Sequence, residues 1–187
     1  MADQLKSRSK AESPDSRLPQ KDWAAVIDLY EACLKNADQL LDEADLLLSH
    51  AYHARALALA LVAYEEIGKS QIVADYFNNM VSKKEFKEAF VKHEIKSAYN
   101  ARQFHITSMK PLEASIVYDR GRAKQHSQYR VASLYVGCTE DYESLIPSEM
   151  VTPKDATAAI AACRKKIKHI RVTSRITERI GSESFTK

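Results

Sequence analysis

The chain has 187 residues, enough for one domain with a substantial core, and only four Gly and five Pro among them. With abundant Ala, Leu, Lys and Glu, that composition points to an all-α fold and argues against a strand-rich one. A net charge of +3 is too small to select a partner, and the three cysteines (Cys33, Cys138, Cys163) lack metal or redox spacing, as expected in a reducing compartment.

Residues 1–20 are polar, mixed in charge and aperiodic, so they are expected to be disordered, and they lack the apolar stretch of a signal peptide. A first helix is expected from about Asp22 to Leu48. Ala25, Val26, Leu29, Tyr30, Cys33, Ala37, Leu40, Leu41 and Ala44 recur there at intervals of three and four. The second, from about Tyr52 to Asn79, is apolar all round between Ala56 and Tyr64, which marks the most buried helix of a bundle. That run is too short to span a bilayer, so a cytoplasmic protein with no membrane partner is expected.

Ser82 followed by Glu85 is a capping box, and it opens a third helix expected to reach about Met109, where Pro111 breaks it. Leu112 to about Tyr135 is expected to be helical again, interrupted near Gly121, with Ser133–Cys138 leaving as an extended segment. Residues 139–151 read as a loop containing Pro147. Thr152, Pro153 and Asp155 then form a helix start, with Thr as cap, Pro at the first position and Asp in the first turn. The final helix carries Ala159, Ile160, Cys163, Ile167 and Ile170 on one face and its bases on the other. A domain over residues 21–180 with a flexible tail at 181–187 follows, built as an up-and-down bundle of four to five helices.

Charge is unevenly spread. Lys21 to Leu48 holds seven acids against two lysines, whereas Ile160 to Lys187 holds eight bases against two acids. A basic helix of this kind can attract a polyanion, with Arg164 and Lys168 among its bases. The plainer alternative is that the acidic and basic helices attract each other.

Two short motifs place charge where the helices should be apolar: Glu65-Glu66-Ile67-Gly68-Lys69 and His93-Glu94-Ile95-Lys96. Buried charges cost several kcal/mol unless paired, roughly 3–5 kcal/mol when a partner is missing, so such groups pair or serve chemistry. At about 100° per residue, Lys69 lies about 40° from Glu65 on a stripe shared with small and apolar residues. Glu66 is about 100° away but only three residues from Lys69. Gly68, lacking a side chain, permits another backbone to approach closely. On the third helix His93 shares the apolar face with Phe86 and Asn100, and Lys96 sits at its edge. Antiparallel packing of the two helices would bring Glu65 and Lys69 to the depth of His93 and Lys96. Taken singly, a Glu–Lys pair four apart is an ordinary helix stabiliser and a histidine on an apolar face is an ordinary core residue. No Glu is followed three residues later by His, which disfavours a di-iron bundle, and no metal or cofactor is expected.

These residues, in this order, resemble the AbiV family of bacterial abortive-infection proteins, within the HEPN helical superfamily. The matching pieces are Tyr30 to Ala37, Ala54 to Leu59 running into Glu65–Lys69, Lys92–Lys96, Arg130 to Val136, Pro147 and Val151 to Ala156. The likeness covers about Trp23 to Ile170. It implies a HEPN-like bundle, homodimerisation and a role in stopping phage propagation at the host's expense. Many members of the superfamily are metal-independent endoribonucleases with an Arg, four to six residues, then a His. Here Arg120 with His126 and Arg164 with His169 fit that spacing formally, at a frequency chance supplies, while Arg130 is followed at that spacing by Tyr135 in place of His.

Two functions follow as expectations. In the first, the protein is a toxin that cleaves or binds RNA and arrests host translation. His93 then exchanges protons, Lys69 and Lys96 supply positive charge and Glu65 or Glu66 orients them. Arg130, Tyr135, Arg164 and Lys168 bind phosphate or stack bases. In the second, the bundle is a non-catalytic module that binds a phage-encoded protein or the translation machinery.

Overall fold

The computed structural model describes residues 22–78, 80–100, 103–109, 112–117 and 120–173, so the expectations for residues 1–20 and 181–187 lie outside the described residues. Helix α1 (Trp23–Ser49) is followed after three residues by α2 (His53–Phe77). The tight reversal is closed by the Tyr52 and Ala51 N–H groups donating to the Leu47 and Leu48 carbonyls, with Ala51 in the left-handed region at φ 62°. Trp23, at the start of α1, meets the Phe77 ring at the end of α2 with centroids 5.6 Å apart. The two helices therefore run antiparallel along their full lengths. The all-apolar reading of α2 is met: its Ala56, Ala60, Ala63 and Ile67 are fully buried.

The expected third helix is two. The Ser82–Glu85 capping box opens α3 (Lys83–Val91), as the sequence indicates, but the chain turns at Lys92, whose ψ of 121° is extended, and restarts as α4 (His93–Asn100). Beyond Asn100 the expected helix gives way to β1 (Gln103–Met109), and Leu112 onward opens as β2 (Leu112–Val117) in place of a helix. The two strands pair antiparallel from Gln103↔Val117 to Met109↔Leu112, with a register shift between Ile106 and Ser108. Ile106, Thr107, Ile116 and Val117 are β-branched, and their preference for a pleated backbone outweighs the helix expected there.

Helix α5 (Arg120–Ala132) follows, then β3 (Gly137–Cys138) and β4 (Ser144–Leu145) in a small hairpin, a single turn α6 (Pro147–Met150) and the long α7 (Pro153–Thr173). The start of α7 agrees with the sequence, but the segment expected to be extended from Ser133 first turns, the Leu134 and Tyr135 N–H groups donating to the Val131 carbonyl, before it extends at Gly137–Cys138. Thr152 and Asp155 cap each other, the Thr152 N–H and hydroxyl donating to Asp155 Oδ2 at 2.9 and 2.6 Å. Counting α3 and α4 as the one helix expected there, the described residues form an all-α bundle of five principal helices, as expected.

Helix α7 buries Ala156, Ile160, Cys163, Ile167 and Ile170 against α1 and α2. Two of its bases pair with acids of α1. Arg164 reaches Asp42 and Asp45 at 2.9 and 2.6 Å, and Arg171 reaches Asp38 at 2.5 Å, so the acidic and basic helices attract each other. These pairs are exposed and contribute on the order of 0–1 kcal/mol each, while the buried apolar face supplies most of the stability. No helix among the described residues is long and apolar enough to cross a membrane.

Two of the three cysteines are core residues. Burial pushes the Cys33 thiol up to about 11, with Glu66 adding to the rise and Lys69 opposing it, and burial alone takes Cys163 to about 12. Cys138 is exposed. Because the thiolate is the reactive form, the native protein is expected to give one fast-reacting thiol with a chromogenic disulfide at pH 8, at Cys138, and three after unfolding. Three fast thiols in the native state would contradict this packing.

Candidate functional site

Helices α2 and α4 approach so closely that their backbones touch. A Cβ added at Gly68 would sit 1.9 Å from the Lys96 carbonyl oxygen and 2.8 Å from its carbon. Only glycine allows this approach, and it is what places the second motif against the first. Four residues on, the Asn100 amide donates to the Tyr64 carbonyl at 2.9 Å, which pins the antiparallel register.

Glu65 is the centre of what results. Its side chain is 6% exposed, and three basic side chains converge on it from two other helices. His93 Nδ1 lies 2.6 Å from Oε2, Lys96 Nζ lies 3.4 Å from the same oxygen, and Arg130 Nε of α5 lies 3.2 Å from Oε1. The Arg130 N–H does not point along that line, so this last contact is electrostatic and not a hydrogen bond. Ser133, just after α5, donates its hydroxyl to the Tyr129 and Arg130 carbonyls at 2.8 and 3.0 Å, closing the end of the helix that carries Arg130.

Exposure differs sharply within the cluster. Lys96 is as buried as Glu65, at 6%, while the His93 side chain is 54% exposed. An ionised carboxylate only accepts hydrogen bonds, so in a neutral ring it selects the tautomer with the proton on Nδ1 and leaves Nε2 as the acceptor. Among the described residues the cluster holds one carboxylate against an ammonium and a guanidinium, leaving positive charge over even with the imidazole neutral. A carboxylate-held imidazole at the surface of a cationic pocket can transfer protons beside an anion.

Lys69 and Glu66 form a separate pair. Lys69 Nζ meets Glu66 Oε1 at 2.5 Å and lies 5.3 Å from the centre of the Phe90 ring. Lys69 thus turns to the residue three before it and leaves Glu65 to His93, Lys96 and Arg130. Of the residues expected to bind RNA, only Arg130 joins the cluster. Tyr135 is 65% exposed and lines a shallow groove with Val131, Val136, Leu145 and Met150. Arg164 is engaged by Asp42 and Asp45, and Lys168 lies exposed farther along α7. Asn100 and Ser133 were not singled out as site residues from the sequence, and nothing in their local pattern marks them. Among the described residues no group of three or more His, Cys, Asp or Glu is arranged to hold a metal ion.

No curated protein and no solved structure matched the chain in comparisons with known proteins. A family model did: the one described as AbiV, of the HEPN type, over residues 25–167. That span contains α2, α4 and α5, and with them every residue of the Glu65 cluster. The chain belongs to the AbiV family of HEPN, abortive-infection-type proteins.

Proposed function

We propose that this protein is an abortive-infection effector that cleaves RNA without a metal, with His93 as its proton-transfer group. The observation that carries the reading is the hold of Glu65 on His93 at 2.6 Å, with Lys96 and Arg130 beside the same carboxylate. In the proposed reaction Nε2 of His93 takes the proton of a ribose 2′-hydroxyl. The freed oxygen attacks the adjacent phosphorus, and the bond to the 5′-oxygen breaks. Solvent reaching the half-exposed ring protonates the leaving oxygen and later accepts the proton from the imidazolium. The products are a 2′,3′-cyclic phosphate and a 5′-hydroxyl. The surplus positive charge of Lys96 and Arg130 stabilises the extra charge that builds on the phosphate oxygens.

The test is labelled RNA incubated with the purified protein in EDTA. His93→Ala is expected to lower cleavage by about 10²–10⁴-fold, the usual contribution of a positioned acid–base group. Stability should fall by less than about 1 kcal/mol, because the ring is half-exposed and Glu65 keeps its two other partners. Cleavage unchanged in the variant, or RNA bound and never cut by the wild type, would refute the assignment.

A second reading has its own observation. The exposed apolar groove formed by Val131, Tyr135, Val136, Leu145 and Met150 suits a protein partner better than a polyanion. On that reading the protein is a non-catalytic module that binds a phage protein or the translation machinery, or pairs with a second copy of itself. Sedimentation of the purified chain alone separates the homodimer from the other two.

A further inference from the structure

A second concavity is lined by Tyr64 and Tyr129, the chain neighbours of Glu65 and Arg130. It has a volume of about 690 Å³ and lies between α2, α5 and α7, with Leu57, Leu61 and Ala162 among its apolar walls. Its size falls within the roughly 300–1,000 Å³ range of small-molecule sites. The helices that build the cluster also build this cavity. On α2, Leu61 stands about 40° and Tyr64 about 100° round the axis from Glu65; on α5, His126 stands about 40° from Arg130. The Tyr64 and His126 rings meet with centroids 4.4 Å apart and planes 51° apart, so each offers its own aromatic surface to the cavity.

The rim is polar at defined points. Gln125 contributes an amide and Asp155 a carboxylate. Asp155 Oδ2 accepts from the Thr152 N–H and hydroxyl, and Oδ1 is a second acceptor on a residue that lines the cavity. An apolar slot with an aromatic wall, one carboxylate acceptor and a cationic cluster next door matches the chemistry of a nucleotide: a flat base, an amino group on its edge and a phosphate beside it.

Building on the RNA-cleavage reading, we propose that this cavity binds the nucleobase next to the phosphate held at the Glu65 cluster, and selects bases that carry an amino group. The Asp155 carboxylate accepts from that amino group, as carboxylates do from the amino edge of a base. Uracil, which has none, binds worst. The flat face of the base lies on one of the two rings, Tyr64 or His126.

The experiment measures binding of the four nucleoside 5′-monophosphates, and of inorganic phosphate, to the full chain carrying His93→Ala, so that no cleavage intervenes. The guanine, adenine and cytosine nucleotides are expected to bind at least tenfold more tightly than the uracil nucleotide. Ala162→Phe, at an exposed position on the cavity wall, should weaken the three preferred nucleotides about tenfold and leave phosphate unaffected. Asp155→Asn, which keeps an oxygen for the Thr152 cap, should erase the preference over uracil. Equal binding of all four bases, no effect of Ala162→Phe, or no nucleotide binding at all overturns the proposal. Failure here is distinct from failure of the cleavage reading. RNA cut without base preference and indifferent to Ala162→Phe removes the base site alone, whereas base-selective binding by a protein that never cuts RNA removes only the cleavage.

Discussion

Gly68→Ala is expected to destabilise the protein by about 2 kcal/mol or more, against the direction that helix propensity alone would give. Alanine in a helix interior is better than glycine by about 1 kcal/mol, so an exposed site of this kind would gain stability. Gly68 is not such a site. The new Cβ would lie 1.9 Å from the Lys96 carbonyl oxygen, where ordinary contact begins near 3.4 Å, so the two helices would have to part by about 1.5 Å. The atom in the way is backbone, and no rotamer change relieves it. Overpacking of this kind typically costs about 1–3 kcal/mol, and more when the obstacle cannot move. The same displacement would pull Glu65 from Lys96 and His93, so cleavage should fall even at temperatures where the variant stays folded. Urea unfolding measures the first effect and the labelled-RNA assay the second. A variant more stable than wild type would mean that α2 and α4 do not touch.

That contact also shows how far the sequence could be read. The pairing of the two charged motifs was legible because each sat on a helix whose apolar period was clear, and because Gly68 between Glu65 and Lys69 signalled close approach. The capping box at Ser82 and the helix start at Thr152 were legible for a similar reason: their signal is local, a side chain three residues from the N–H group it satisfies. The turn at Lys92 was not. No Gly or Pro marks it, and the residue adopts an extended backbone because α4 must turn to lay Lys96 against Gly68, a requirement set by a helix distant in sequence. Nor was the choice of Lys69 for Glu66 over Glu65. Both carboxylates are within reach along the helix, and the decision rests on Lys96 and Arg130 occupying Glu65 from outside. The hairpin of β1 and β2 had a readable signal in its β-branched residues, overshadowed by the helical pattern on its N-terminal side.

Glu65→Ala should be the most damaging single substitution in the cluster, and its comparison with Glu66→Ala tests why. Removing Glu65 leaves Lys96, 6% exposed, with no ion-pair partner among the described residues, and strips Arg130 and His93 of the same partner. Breaking a buried ion pair from one side typically costs about 3–5 kcal/mol, because the remaining charge stays desolvated and uncompensated. Glu66 is also largely buried, but its partner is not trapped: the Lys69 side chain is 21% exposed, lies on the face of Phe90 and can swing its ammonium into water. Losing Glu66 should therefore cost about 1 kcal/mol, in the range of an ordinary partly exposed interaction. A third variant isolates the cause. If the penalty at Glu65 comes from the stranded ammonium, Glu65→Leu combined with Lys96→Met should recover at least half of the stability lost by Glu65→Ala, since apolar side chains often replace a buried pair without loss. Urea midpoints for the three variants decide the matter. Equal losses for Glu65→Ala and Glu66→Ala, or no recovery in the double variant, would show that Lys96 finds solvent or another anion when Glu65 is gone. The double variant should also be inactive on RNA despite its recovered stability, because His93 loses the carboxylate that fixes its ring and the phosphate loses a cation. Stability and activity would then part at one residue pair, as they should where charges are kept buried for chemistry and the packing alone would do as well without them.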